Sequence, residues 1–175
     1  FWSRSSSLAT CAAAIARKHF GVRPDIAYTY AMFHNAGVPL MMRRFPAYLD
    51  AITDCRRTGR LLAEIEEARF DCTHATAGAI LIRGWGLPKE IGQAVRSHHA
   101  PDLYRLGDSV LPSDMLPIIA ATHLAERLQS DLFSENDTEV GALMFDEAVR
   151  FFGLSSADLD DLRECTAECM EESGR

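Results

Sequence analysis

Apolar residues recur at three- and four-residue intervals along most of the chain, and alternating Val/Ile/Thr runs and Asn-Gly turns are missing. That periodicity predicts an all-α, multi-helix bundle. Residues ~2–19 carry Leu8, Cys11, Ala12 and Ile15 on one face; Gly21 stops this helix and Pro24 opens the next at its favoured first position. Residues ~24–35 place Ile26, Tyr30, Phe33 and His34 on one side. Gly37 with Pro39 reads as a break, followed by a helix from Phe45 or Pro46 to Arg57 that Gly59 closes. An acidic amphipathic helix is expected over ~60–69, another over ~74–84 ending at Gly84-Trp85-Gly86, and a third over ~88–99 opened by Leu87-Pro88. Residues 100–112 read as a loop, and ~114–130 as a long helix that tolerates Pro117 in its first turn. After a turn at Ser134-Glu135-Asn136-Asp137, two closing helices are expected over ~139–152 and ~156–173, split by Gly153, with Ser155 or Ser156 as cap. The acids of the last helix, among them Asp158, Asp160, Asp161, Glu164 and Glu168, form a solvated face.

Composition narrows the function classes. At 175 residues the chain suits one domain, 1–175, with a single sizeable core. A net charge of −7 argues against a nucleic-acid binder, which needs a basic surface to neutralise phosphates. No apolar run approaches the ~20 residues that span a bilayer, and no signal peptide is visible, so a cytoplasmic location without membrane insertion is expected. Cys11, Cys55, Cys72, Cys165 and Cys169 are scattered and odd in number, which favours reduced thiols over a disulfide framework. The chain opens on Phe1 rather than Met, as a fragment or processed chain would.

Helical spacing aims the histidines inward. Ile91, Ala94, Val95 and His98 follow i, i+3, i+4, i+7, and His99 lies four residues beyond Val95. His74 aligns with Ala77, Gly78 and Leu81; His34 lies one turn beyond Tyr30; Glu126 is in register with Ile119 and His123. Polar groups on inner faces need partners, because an unpaired one costs ~1–3 kcal/mol. Converging inside a bundle, they would satisfy one another, hold an ion or bind a polar ligand. A lone inward histidine is usually a packed core residue; the adjacent pair His98-His99 is a sharper signal.

Several segments, in this order, resemble one family. They are Phe1-Trp2-Ser3-Arg4-Ser5, His34-Asn35-Ala36-Gly37, Glu66 with Phe70-Asp71-Cys72-Thr73-His74-Ala75-Thr76-Ala77-Gly78, Trp85-Gly86-Leu87-Pro88, Ser97-His98-His99-Ala100-Pro101, and His123-Leu124-Ala125-Glu126. Together they resemble the HDOD domain, an output domain of bacterial signalling proteins and a branch of the HD phosphohydrolase superfamily. The likeness covers about residues 1–130, and the tail 131–175 fits less patterned C-terminal helices. It implies an all-α fold, a further helical lobe ahead of the Phe1-Trp2 segment, an upstream receiver or sensor domain, and protein partners in a signalling pathway.

The same resemblance implies a degenerate site made of Arg4, His34, Asn35, Glu66, His74, His98, His99 and Glu126. Active HD enzymes carry His where Arg4 stands, Asp where Asn35 stands and Asp where Glu126 stands; many carry Lys at the position of Val38. Guanidinium offers no lone pair to a metal. A two-metal site needs a bridging carboxylate to hold two cations ~3.5–4 Å apart, and an amide bridges poorly. His34, His74, His98 and His99 could still hold a single divalent ion. The expectation is therefore a non-catalytic signalling module without a required cofactor, acting through protein contacts or a small ligand such as a nucleotide, with Arg4 paired to Glu126 or Glu66 in place of a metal. The alternative is a metal-dependent phosphohydrolase or phosphodiesterase using the residual histidines.

Overall fold

The structure, a computed structural model, describes residues 2–19, 21–105, 111–112, 114–135 and 138–173. All extended regular structure among these residues is α-helical, as the periodicity predicts. In chain order the helices are α1 (Trp2–Lys18), α2 (Pro24–Phe33), α3 (Gly37–Arg44), α4 (Tyr48–Thr58), α5 (Leu62–Phe70), α6 (His74–Gly84), α7 (Lys89–Ser97), α8 (Met115–Leu132), α9 (Gly141–Phe152) and α10 (Ser156–Ser173). None of the described helices is long and apolar enough to cross a membrane.

Helix α8 is the axis of the bundle. It is buried nearly all round, from Met115 through Ser130, and packs against α1, α2, α7, α9 and α10. Its first half, Met115 to Ala121, is apolar on every side, as an interior helix must be. Leu8, Cys11 and Ile15 of α1 meet Leu124 and Leu128 of α8 with Ala148 and Leu162 from the closing helices. On the other side, Tyr30, Ile82, Ile91 and Val95 surround Met115, Ile118 and Ile119. The acidic side chains from Asp158 to Glu168 on α10 are exposed. Cys11, Cys55, Cys72, Cys165 and Cys169 form no disulfide.

Local signals set the ends. Gly59 and Gly153 close α4 and α9 in the left-handed region, at φ 70° and 64°. Ser155 and Asp158 form a reciprocal cap at the start of α10: the Asp158 amide donates to Ser155 Oγ, while the Ser155 amide donates to Asp158 Oδ2. Thr73 caps α6, its hydroxyl accepting from the Thr76 amide.

Two stretches differ from the sequence reading. Gly37 and Pro39 do not break the chain; they open α3. Proline lacks only a donor that the first turn leaves unused. Gly37 is there for space: a Cβ at this position would lie 1.9 Å from the His74 carbonyl oxygen and 2.7 Å from the Gly78 nitrogen. Two glycines thus let α3 cross α6 backbone to backbone, which brings the His34-Asn35 corner beside the start of α6. Residues 103–105 are helical rather than loop, while 106–110, and with them Gly107, lie outside the described residues, as do Asn136 and Asp137 of the expected turn.

Candidate functional site

The inward polar residues collect where the end of α2, the start of α6, the end of α7 and the middle of α8 meet. Each of three histidines is fixed through Nδ1. His34 follows the last residue of α2, and its Nδ1–H donates to the Ala31 carbonyl at 2.7 Å. His98 follows the last residue of α7 and repeats the device, donating to the Val95 carbonyl at 2.6 Å. Helix ends leave carbonyls without intrahelical partners, so each ring satisfies one. His74 heads α6, and its Nδ1 and backbone nitrogen both donate to Glu66 Oε2, at 2.7 and 2.9 Å. Tyr48 donates to the other oxygen of Glu66. All three rings therefore present Nε2 to the centre, in the arrangement that histidine ligands take when an outer partner orients them.

Two groupings result. In the first, His34 Nε2 donates to Glu126 Oε1 at 3.1 Å and Asn35 Nδ2 to the same oxygen at 3.3 Å. Burial opposes charge on His34, but the Glu126 carboxylate outweighs it and raises the imidazole pKa. Burial likewise opposes charge on Glu126, and His34 draws its pKa down. Both shifts favour an ion pair inside the protein. In the second grouping, His99 Nε2 lies 3.0 Å from His74 Nε2, and Glu139 Oε2 lies 3.5 Å from His74 Nε2 and 3.3 Å from His99 Nε2. For His74, burial is again opposed by the charge of Glu139 and the Glu66 hydrogen bond, and the net shift is upward. His98 goes the other way: burial first, then the positive potential of His99, His34 and His74, drive its pKa well below the ordinary value. Buried His98 Nε2, Asn35 Oδ1 and Glu126 Oε2 have no hydrogen-bond partner.

A cleft of about 440 Å³ opens onto this cluster, with Arg4, Asn35, Arg56, Glu126, Glu135 and Glu139 in its walls.

The structure brings His34, Asn35, Glu66, His74, His98, His99 and Glu126 together and leaves Arg4 apart. The expected buried pairing of Arg4 with Glu126 or Glu66 is not made. Arg4 sits in the first turn of α1 at the cleft rim and pairs with Glu135 at 2.5 Å, both side chains about half exposed, at 53% and 46%. Both oxygens of Glu66 are taken, by Tyr48 and His74, while Glu126 receives His34 and Asn35 on Oε1. Glu66 stands behind His74 rather than facing the cleft. Among the four histidines considered for a metal, His74, His98 and His99 have ligand atoms within 4.8 Å of one another and of Glu139, while His34 is engaged with Glu126. Sequence reading missed Glu139, which precedes α9 in a turn where no helical register aims it, and Tyr48, which looks like an ordinary core aromatic.

Against protein-family profiles, residues 1–101 match the HDOD domain. The chain belongs to the HDOD family. Solved structures agree in fold. An HDOD domain protein of unknown function from Geobacter sulfurreducens superposes with a TM-score of 0.71 at 17% identity, covering 99% of this chain and 61% of the other. A protein named "Putative phosphohydrolase" from Shewanella amazonensis SB2B gives 0.69 at 21% identity, covering 99% and 62%. A third, "Putative signal transduction protein" from Marinobacter aquaeolei VT8, gives 0.72 at 19% identity, covering 99% and 38%. This HDOD chain thus spans less than two thirds of the length of each. No curated protein matches it. The matched HDOD segment holds Arg4, His34, Asn35, Glu66, His74, His98 and His99; Glu126, expected from the sequence, and Glu139 lie beyond it, and both sit beside the histidines.

Proposed function

We propose that this HDOD chain is a signal-transduction module that does not turn over a phosphoester and acts through protein or small-ligand contacts at the cleft. The observation that carries the reading is Asn35. At the place where a bridging carboxylate would stand, its amide donates to Glu126, and Glu126 is in turn committed to His34. Two cations held close together need shared negative charge between them, and here the neutral amide and the His34–Glu126 ion pair occupy that place. The HDOD match and the name carried by the Marinobacter relative support a signalling role.

The competing reading, a metal-dependent phosphohydrolase, draws on one observation: the convergence of His74, His98, His99 and Glu139, the last of which also lines the cleft. Hydrolysis of bis(p-nitrophenyl) phosphate by the purified chain with added Mn²⁺, Fe²⁺ or Zn²⁺ separates the two. The signalling reading expects no rate above that of the metal alone. Turnover that disappears in His98→Ala overturns it.

A further inference from the structure

We infer that His74, His98, His99 and Glu139 form a binding site for one divalent transition-metal ion, with Glu139 as the carboxylate ligand and the His34-Asn35-Glu126 grouping outside it. This deepens the reading above by naming what the residual pocket holds. A four-coordinate ion with bonds of ~2.0–2.1 Å to imidazole nitrogen and carboxylate oxygen sets its ligand atoms ~3.3 Å apart. Three corners already have that spacing: His74 Nε2 to His99 Nε2 is 3.0 Å, His99 Nε2 to Glu139 Oε2 is 3.3 Å, and His74 Nε2 to Glu139 Oε2 is 3.5 Å. His98 offers the fourth corner, its ligand atom within 4.8 Å of the rest. Its ring is 1% exposed and its Nε2 has no partner. A hydrogen-bonded core cluster would have no use for that lone pair; an ion would.

The site is also built. Glu66 orients His74 from behind, and the Val95 carbonyl orients His98. Glu139 is set by the backbone around it. The Leu62 amide at the start of α5 donates to the Thr138 carbonyl at 2.9 Å. Val140 is buried, and Gly141 turns the chain at φ 68° against the Leu61 side chain. The same helix, α5, thus places the residue behind His74 through Glu66 and anchors the segment carrying Glu139. Three imidazoles and one carboxylate suit Zn²⁺, Co²⁺ or Ni²⁺ rather than Mg²⁺ or Ca²⁺, which prefer all-oxygen shells. A carboxylate missing at position 35 is thereby supplied from another segment lining the same cleft.

Calorimetric titration of metal-stripped protein with Zn²⁺ tests the assignment. One ion per chain is expected, with affinity reduced at least tenfold in Glu139→Gln and in His98→Ala, and changed less than threefold in His34→Gln. Two ions per chain, no binding at all, or affinity lost in His34→Gln but kept in Glu139→Gln overturns it. Circular dichroism checks that each variant folds. Should Glu139→Gln fail to fold, the Co²⁺ spectrum of the unaltered chain decides: intense visible bands from a four-coordinate ion support the site, and the weak bands of a six-coordinate one overturn it. Phosphodiester turnover would defeat the non-catalytic reading yet leave this site standing; absence of Zn²⁺ binding would do the reverse.

Discussion

At the scale of single residues, placement and partnership separate. Helical spacing aimed His34, His74, His98 and Glu126 inward, and all four are buried. Spacing says which way a side chain faces and not which atom it meets, so Arg4 was matched to the wrong acid. Its exposed pair with Glu135 is of a kind worth ~0–1 kcal/mol. Arg4→Ala should therefore change the unfolding free energy measured in urea by less than about 0.5 kcal/mol, whereas a buried pairing would have cost several times more. Glu66 is the contrast. It is fully buried, and it accepts from Tyr48 and twice from His74. Removing one partner of such a group costs ~3–5 kcal/mol, and Glu66→Ala should lose that much in chemical denaturation. Glu139 escaped sequence reading for a physical reason: the closing helix, expected from ~139, begins only at Gly141, and a residue in the bend ahead of it has no period from which its direction follows.

Among the elements, the α3–α6 crossing sets the site. Gly37→Ala must push α3 away from the His74 carbonyl, an overpacking change of about 1–3 kcal/mol or more. Gly84, at the end of α6, meets nothing within 4 Å of an added Cβ and is not in the left-handed region, so Gly84→Ala should be neutral or stabilising by ~0.4–1 kcal/mol. Thermal unfolding of the two variants side by side checks the assignment. The helices themselves were legible because their stops are chemical: Gly21, Gly59 and Gly153 adopt positive φ, and Pro24 opens a helix at its first position. The start of α3 was not, because Gly37 and Pro39 usually punctuate a helix, and only the neighbouring backbone of α6 explains a glycine chosen for closeness.

For the molecule as a whole, the axial helix α8 makes folding sensitive to acid. His123, buried in its middle and bonded through Nδ1 to the Tyr104 hydroxyl, has its pKa pushed down to about 3, chiefly by burial. The unfolded chain binds a proton there near pH 6.5 and the folded chain does not until about pH 3. Stability therefore falls as pH drops through that window, by about 1.4 kcal/mol per pH unit from this residue alone. His123→Phe should flatten the acid limb of a stability–pH curve by that slope, measured by urea denaturation between pH 6.5 and 4.

The two rings that end α2 and α7 have one more implication. Each occupies its position by serving the backbone: a dangling carbonyl is met by an imidazole N–H before any cargo or reaction enters. Architecture alone is a reason to keep such residues, so an inward imidazole at a helix end is not by itself a sign of chemistry. Counting histidines in distant HDOD relatives therefore measures how their helices end, and the acids beside them are the better guide to chemistry.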